Sequence, residues 1–165
     1  TVRVDGLDQS RQGGNFMWLR KANAMCSMWK SSADEDLFEG WHDGYANLAD
    51  PVIHRRRIVL DKRARRLAIE DTLEMKGEHD IELNFHFSDE CAVAFEHGAL
   101  TVRRGERSIV LRLPRALGHV RLFYGSLEPI AGWISPRFDV KLPTTTVRFS
   151  ARLAGPHTLY SEIAC

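Results

Sequence analysis

Residues Val52–Asp71, with the sequence VIHRRRIVLDKRARRLAIED, predict two β-strands joined by a short charged turn. Side chains along a strand point alternately to its two faces. One face of the first strand therefore carries Val52, His54, Arg56, Ile58 and Leu60. One face of the second carries Leu67, Ile69, Asp71 and Leu73. The polar stretch 61–65 between the strands has the composition of an exposed turn.

Charge is concentrated at the open end of this predicted hairpin. The first strand begins with His54-Arg55-Arg56-Arg57, the second ends with Glu70-Asp71, and antiparallel pairing places these groups side by side. One interpretation is an ion-pair cluster that keeps the two strands in register. The other is a positively charged wall that faces an anionic ligand. The sequence leaves both interpretations open.

The composition indicates one globular domain with a hydrophobic core of its own. The chain has 165 residues, of which 44% are hydrophobic, and its net charge of +1 gives no argument for a nucleic acid or membrane partner. No apolar run is long enough for a membrane-spanning helix. Cys26, Cys91 and Cys165 are odd in number and lack CxxC spacing, which favours free thiols over disulfides or a zinc site.

The rest of the sequence predicts strand after strand. These strands are expected at 1–5, 37–42, 80–87, 92–95, 99–103, 108–113, 119–124, 144–153 and 157–163. Period-2 alternation predicts core positions at Ile81, Leu83, Phe85, Phe87, Val147 and Phe149. Ten or more short strands without a convincing helix predict an all-β fold, an antiparallel β-sandwich.

Two stretches near the start of the chain are less regular. Gly6–Asn15 is polar, contains a Gly-Gly pair and predicts a long loop. Phe16–Ser31 has a mixed periodicity, typical of either a short helix or two strands, and its surroundings favour strands. In that interpretation the residues lying partly in the core are Trp18, Met25, Met28 and Trp29.

Histidines are the main candidates for a functional site, because the sequence has no GxGxxG, P-loop, GxSxG or HExxH motif. His42 stands in HDGY, where Asp43 could orient it and Gly44 permits a tight turn; a purely structural turn residue is the alternative. His54 stands among arginines, whose charge lowers its proton affinity, so a neutral imidazole is expected. His86 lies on the polar face of its strand, either solvated or lining a groove.

The other histidines are assigned no role, since they fall at turns or strand ends: His79, His97, His119 and His157. A zinc site formed by His54, Asp71 and His86 is chemically feasible, because two imidazoles and a carboxylate suit zinc. The spacing of the three is not diagnostic, so no metal ligand is predicted.

Several segments together resemble the C-terminal β-sandwich domain of the heparinase II/III-like family of polysaccharide lyases. They are TVRVDGLDQS, the following Gly-Gly-Asn-Phe, WHDGYANLADPVIHRRRIVLD, LAIEDTL, ELNFHFS and GWISPRFDVKLP. The similarity extends from Thr1 to about Tyr160. Its most specific parts are HDGY, HRR and the strand that ends in FHF.

The resemblance implies a two-domain lyase that cleaves uronic-acid-containing polysaccharides by β-elimination, in a cleft between an upstream α/α-toroid and the sandwich. That chemistry needs a base for the C5 proton, an acid for the leaving oxygen and groups that neutralise the carboxylate. In the family the toroid supplies an Asn and a Tyr/His pair. The sandwich adds histidines and, in some members, a structural zinc. The substrate-binding residues predicted for this chain are His42, His54, Arg56 and His86.

The start of the chain at Thr1, without an initiator Met or a signal peptide, predicts a single domain over residues 1–165 cut from a longer bacterial polypeptide, the parent. The His-Asn pair that commonly precedes this Thr in the family would lie just before Thr1. We therefore expect no catalytic residue, no cofactor and no activity in this piece, while the parent could hold zinc.

The expected partners are an acidic polysaccharide and the upstream toroid of the same chain, with no nucleic acid and no membrane. By resemblance, the parent is expected to be periplasmic or secreted. A second hypothesis remains, in which the chain is a non-catalytic carbohydrate-binding or interaction sandwich. A helical upstream region with the Tyr/His pair would select the lyase.

Overall fold

The computed structural model describes residues 2–96 and 98–165, and nearly all of its regular structure is β-strand. The strands are β1 Val2–Val4, β2 Arg11–Gly14, β3 Met17–Arg20, β4 Ala24–Ser31, β5 Glu35–Tyr45, β6 Val52–Asp61, β7 Arg66–Glu74, β8 Glu78–His86, β9 Ala92–Glu96, β10 Ala99–Arg104, β11 Arg107–Arg112, β12 His119–Tyr124, β13 Ser126–Leu127, β14 Ile130–Ala131, β15 Trp133–Arg137, β16 Val140–Pro143, β17 Thr145–Ala154 and β18 His157–Ala164. A short 3-10 turn occupies Arg115–Leu117. Within the described residues, no helix has the length and apolar character needed to cross a bilayer.

Two antiparallel sheets form the sandwich. The smaller has the strand order β1-β8-β17-β12, and the larger has the order β4-β5-β6-β7-β18-β11-β10-β9. Residues from both sheets meet in one core cluster, including Leu83 and Phe149 from the smaller sheet and Leu73 and Leu159 from the larger. The predicted all-β antiparallel sandwich is therefore confirmed.

The hairpin at the centre of the larger sheet forms as its sequence predicts. In the register of β6 and β7, Leu60 pairs with Leu67 near the turn, and Arg56 pairs with Asp71 near the open end. The turn is closed by a hydrogen bond from the Ala64 amide to Asp61, and Arg65 adopts a left-handed backbone conformation with φ of 51°. The period-2 pattern thus gives both the strands and their pairing.

Most of the predicted core positions are buried, with four side chains at most 1% exposed: Ile81, Leu83, Val147 and Phe149. Phe85 and Phe87 are only partly buried, although both pack against the core. Phe85 lies near the end of β8 and Phe87 just beyond it. The turn predicted at His97 and Gly98 includes His97, which lies outside the described residues.

The first third of the chain departs from the sequence-based expectations in two ways. Within the predicted loop Gly6–Asn15, β2 forms and pairs with β3 as a small two-stranded ribbon. The prediction of strands within Phe16–Ser31 is confirmed, but three of the four side chains expected in the core are exposed: Trp18 at 54%, Met25 at 55% and Trp29 at 65%. Met25 and Trp29 lie on β4, an edge strand of the larger sheet, and Trp18 lies on β3 of the two-stranded ribbon, outside both sheets of the sandwich.

Candidate functional site

Two histidines stand next to each other on adjacent strands of the larger sheet. His42 of β5 is the direct cross-strand partner of His54 of β6, and the two rings meet edge to face with centroids 5.0 Å apart. Nε2 of His42 lies 3.0 Å from Nδ1 of His54. On its other side, Nε2 of His54 lies 2.6 Å from the Oδ1 atom of Asp71 on β7.

The hydrogen-bond partners determine where the ring protons lie. The backbone N–H of Gly44 donates to Nδ1 of His42 over 3.1 Å, so this nitrogen carries no proton and Nε2 is the protonated one. His42 therefore donates from Nε2 to Nδ1 of His54, and His54 donates from its own Nε2 to Asp71. In this arrangement each ring donates one hydrogen bond and accepts one.

Arg56 also forms a bidentate ion pair with Asp71. The Nε and Nη2 atoms of Arg56 donate to the two carboxylate oxygens of Asp71 over 2.7 and 3.0 Å. The Asp71 side chain is 0% exposed, so the full charge compensation comes from the protein and not from water. Nη1 of Arg56 has no hydrogen-bond partner among the described residues. We call His42, His54, Asp71 and Arg56 the histidine–arginine cluster.

Burial and hydrogen bonding shift the pKa values within this cluster. Burial lowers the pKa of His42 to about 4, and the neighbouring His54 and Arg56 add to this effect, despite the opposing effect of Asp43. Burial alone would raise the pKa of Asp71, but hydrogen bonds from His54 and the charge of Arg56 outweigh it, so the pKa is lowered. At neutral pH the cluster therefore holds a neutral His42, an ionised Asp71 and a charged Arg56.

The cluster forms part of the wall of an open groove of about 450 Å³ beside β1. The lining residues are Val2, Gln9, Ala24, Met25, Cys26, Phe38, Gly40, Trp41, His42, His54 and Arg56. Gly40 is the cross-strand partner of Arg56, and a Cβ atom at Gly40 would lie 2.7 Å from the Phe38 ring and 2.9 Å from the Met25 carbonyl oxygen. The close approach of β4 and Phe38 at this point therefore requires glycine.

The remaining arginines of the HRRR segment are paired with carboxylates on neighbouring strands. Nε of Arg55 lies 2.5 Å from Glu74, and Arg57 contacts Glu39 at 3.1 Å and Glu70 at 3.4 Å. These pairs support the interpretation of a cluster that keeps the strands in register. Arg56 shares that role through Asp71, but it also lines the groove, so neither of the two interpretations excludes the other.

His86, the fourth predicted site residue, does not join this groove. It lies at the end of β8 in the smaller sheet, where its Nδ1 atom is 2.9 Å from Oγ1 of Thr146. The zinc site considered for His54, Asp71 and His86 is not formed, because His86 lines a different cleft. Over residues 2–96 and 98–165, no group of three His, Cys, Asp or Glu side chains could hold a metal ion, so these residues do not fit a zinc centre.

Among the histidines given no role, His79 has a distinct environment. It is buried between two carboxylates, with Nδ1 2.7 Å from Asp5 and Nε2 2.9 Å from Asp50. Nδ1 of His157 lies 3.2 Å from the carbonyl oxygen of Gly155. His79 is therefore a structural link between three segments of the chain.

The arrangement of the cluster suits binding better than proton transfer. Both ring nitrogens of His42 and of His54 are engaged in hydrogen bonds, so neither ring offers a vacant nitrogen to a molecule in the groove. A group that abstracts a proton must lie within hydrogen-bond reach of it with a vacant acceptor. The unpartnered Nη1 of Arg56 is by contrast a charged donor suited to a carboxylate or sulfate.

Sequence reasoning missed several residues that build the site. It expected Asp43 to orient His42, but the Asp43 carboxylate binds Asn23, and the Gly44 amide holds the imidazole instead. It also predicted that Met25 of β4 lies partly in the core, whereas Met25 is exposed and lines the groove. One available signal was Asp71 itself, a single carboxylate on the otherwise apolar face of its strand.

Comparison with known proteins places this fold in a family. The family described as "Heparinase II/III-like, C-terminal" matches residues 1–162. The structure of the heparan sulfate lyase HepC from Pedobacter heparinus is similar with a TM-score of 0.71 and 11% identity, over 86% of this chain and 21% of that chain. A heparinase III structure gives a TM-score of 0.68 and 16% identity, over 87% of this chain and 21% of that chain.

The chain thus spans about a fifth of the length of these solved structures. At such low identity the structural similarity demonstrates a shared fold. No curated protein matches the chain. Because the family match extends from residue 1 to residue 162, this protein belongs to the heparinase II/III-like family and corresponds to its C-terminal domain.

Proposed function

We propose that this domain forms one wall of a cleft that binds an acidic, uronic-acid-containing polysaccharide, which the parent cleaves by β-elimination. The observation that carries the proposal is Arg56, held by a buried carboxylate while its Nη1 atom remains available at the groove. An arginine fixed in this way can neutralise the carboxylate of a uronic acid without a further loss of side-chain freedom.

In β-elimination the base takes the C5 proton, and the electron pair passes through an enolate to expel the glycosidic oxygen at C4, which takes up a proton. A positive group close to the C5 carboxylate stabilises the enolate. We assign this neutralising role to Arg56, with His42 and His54 shaping the wall beside it. The base and the acid belong to the opposite wall, so the 165-residue chain alone is proposed to bind without turnover.

Similar folds support an acidic substrate, because a heparan sulfate lyase is among the solved structures with this architecture. The proposed partners of the domain are accordingly an acidic polysaccharide and the upstream toroid of the parent.

Binding of a heparan sulfate hexasaccharide to the chain, measured by isothermal titration calorimetry, tests the proposal. We expect weak binding that fades with added salt, since exposed charges are screened over about 8–10 Å under physiological conditions. Arg56→Gln should weaken it about tenfold or more, whereas the control Arg66→Gln, at an exposed arginine of β7 away from the groove, should leave it unchanged. Equal affinity of the two variants would reject the groove as the binding wall.

A second measurement tests the absence of turnover. The chain is incubated with heparan sulfate, hyaluronan and alginate, and the ultraviolet absorbance of an unsaturated uronate product is followed. No increase is expected. An increase would show that the groups for proton transfer lie within this chain and would overturn their assignment to the opposite wall.

A further inference from the structure

A second polar cleft lies on the outer face of the smaller sheet, away from the core. It has a volume of about 360 Å³ and is lined by Arg3, Asp8, Asn84, His86, Ile130, Ala131, Thr146 and Arg148. In the register of β8 and β17, His86 pairs with Thr146, and Asn84 pairs with Arg148. These four side chains therefore stand together on one face, opposite to the face that carries the buried Val147 and Phe149.

The hydrogen bonds of Thr146 orient His86 toward the cleft. The backbone N–H of Gly132 donates to Oγ1 of Thr146 over 3.1 Å, and the Thr146 side chain is buried. Its hydroxyl proton needs an acceptor, and among residues 2–96 and 98–165 Nδ1 of His86, at 2.9 Å, is the acceptor within reach. The ring proton of His86 then sits on Nε2, which has no hydrogen-bond partner among the described residues.

Arg148 presents a second donor beside it. Its Nε donates to Asn84 over 2.9 Å and its Nη1 to Glu82 over 3.0 Å, while Nη2 has no partner in the described part of the chain. The guanidinium also stacks on the Phe123 ring at 5.0 Å, and its side chain is only 14% exposed. The conformation of Arg148 is therefore fixed before any ligand arrives, which reduces the entropic cost of binding.

The charges around the cleft favour an acidic ligand. Arg3 and Arg148 share the carboxylate of Glu82, and Arg3 also contacts Asp8. Arg121, the cross-strand partner of Arg148, also stacks on the Phe123 ring, at 5.1 Å, and has no ion pair among the described residues. Around the cleft, the three arginines Arg3, Arg121 and Arg148 thus outnumber the two carboxylates of Asp8 and Glu82.

The neutral state of His86 is consistent with its pKa, which is lowered by burial and then by nearby positive charge, including Arg148.

We propose that this outer cleft is a second binding site for a carboxylate- or sulfate-bearing sugar unit, held by Nη2 of Arg148 and Nε2 of His86. Asp8 also lines the cleft, where its carboxylate can accept hydrogen bonds from sugar hydroxyls. The ligand class rests on the proposed function, but the site itself is separate from the histidine–arginine cluster.

The path between the two sites is open along the edge of β1. A third depression contacts Val2 and Gln9, which also line the first groove, and Arg3 and Asp8, which also line the outer cleft. A chain of several sugars can therefore contact both sites at once, and linked binding units raise affinity over a single unit.

The test uses the 165-residue chain labelled with nitrogen-15, titrated with D-glucuronate, with D-glucose and with a heparan sulfate hexasaccharide. Glucuronate and the hexasaccharide should shift the resonances of His86 and Thr146, and glucose should not. The His86→Ala variant should bind the hexasaccharide about tenfold more weakly, the loss expected for one hydrogen bond to a charged group. The control His119→Ala, at an exposed histidine of β12 in the same sheet, should bind as the unchanged chain does.

Arg148→Lys provides a second variant with its charge retained, and its unfolding curve is compared with that of the unchanged chain. Weakened binding in a folded Arg148→Lys protein supports the site. Hexasaccharide shifts confined to His42 and His54, with His86 unmoved at saturation, would overturn it while leaving the first groove in place. Loss of binding in His86→Ala but not in Arg56→Gln would instead support the outer cleft and reject the first groove.

Discussion

Nε2 of His54 lies 2.6 Å from Oδ1 of Asp71, and both side chains are almost completely buried. The same oxygen also accepts a hydrogen bond from Nε of Arg56 at 2.7 Å. One carboxylate in the interior therefore positions both an imidazole and a guanidinium at the groove. The hairpin's charge cluster has an inner part that shapes the site and an outer part, formed by Arg55 and Arg57, that pairs at the surface.

Asp71→Asn should strongly destabilise the fold. The substitution removes the only negative charge in contact with Arg56 among the described residues and leaves His54 with a poorer acceptor. Removing one partner of a buried pair typically costs about 3–5 kcal/mol, and the partial exposure of Arg56 places the expected loss near the lower value, about 3 kcal/mol. Urea denaturation followed by circular dichroism measures it.

Glu74→Gln is the matched control, since it removes the carboxylate partner of Arg55 on the same pair of strands. Both side chains of that pair are 49% exposed, so the loss should stay below about 1 kcal/mol. Similar losses for the two substitutions would mean that Asp71 is no more important than a surface carboxylate.

His42 should remain neutral well below the ordinary range of a histidine. Burial and the neighbouring positive charge lower its pKa to about 4, from an ordinary value near 6.5. Its ring carbon-bound protons should therefore keep constant chemical shifts between pH 7.5 and about pH 5.5 in a nuclear magnetic resonance titration. The signals are assigned by their loss in His42→Gln. A titration midpoint above pH 6 would show that burial and the Gly44 N–H do not hold the ring in its neutral form.

His79 should stabilise the fold most strongly under mildly acidic conditions. Burial opposes the charged imidazole, but hydrogen bonds and the charges of Asp5 and Asp50 outweigh it and raise the pKa of His79. The folded state therefore binds the proton more tightly than the unfolded state. This stabilisation is fully present below the unfolded pKa, about 6.5, and is lost as pH rises through the higher folded value.

The measurement is the difference in unfolding free energy between the unchanged chain and His79→Gln, obtained from urea denaturation at several pH values between 6 and 9. The difference should shrink as the pH increases. A difference that stays constant, or grows, would mean that the imidazole is not held in its charged form between the two carboxylates.

The sequence predicts the fold best where local pattern and burial agree. β8 and β17 alternate regularly, and Leu83 and Phe149, which are cross-strand partners, are both fully buried. The pattern fails for Trp18 and Trp29, because an apolar side chain does not reveal whether a second layer will cover its strand. Coverage depends on the relative width of the two sheets, which no short stretch of sequence encodes.

The site is predictable to the extent that it lies within the hairpin. Alternation places His54 and Arg56 on one face and brings them to Asp71, because all three belong to strands joined by a short turn. The position of His42 depends on pairing across the longer connection 46–51 and on an irregularity between His42 and Tyr45. His86 is predicted as a site residue because it lies on the polar face of its strand, but β8 belongs to the smaller sheet and His86 lines a different cleft.

Phe149→Ala should cost about 3–5 kcal/mol of unfolding free energy, the usual range for removing a buried aromatic ring. Phe149 is 0% exposed and belongs to the core cluster shared by the two sheets. The control is Phe138→Ala, at a phenylalanine that is 92% exposed in the turn between β15 and β16, where a change within about 0.5 kcal/mol is expected. Equal effects in urea denaturation would contradict the assignment of the core.

Arg56→Lys should behave as a loss of function although it keeps the positive charge. Arginine binds Asp71 through Nε and Nη2 and still offers Nη1 to the groove. A lysine ammonium is a single point of charge without the fixed fork of donors of a guanidinium. It can pair with Asp71 or contact a ligand, but it cannot do both at the same time. The affinity for a heparan sulfate hexasaccharide should therefore fall about tenfold, the loss of one charged hydrogen bond.

The salt dependence of binding separates this explanation from a purely electrostatic one. Long-range attraction depends on net charge, which Arg56→Lys leaves unchanged, so the slope of affinity against salt concentration should match that of the unchanged chain. The control Arg66→Lys, at an arginine whose side chain is 55% exposed and pairs with Glu162, should keep both affinity and slope. If Arg56→Lys retained full affinity, the two-pronged geometry at Asp71 would have no part in binding, and charge alone would account for the interaction.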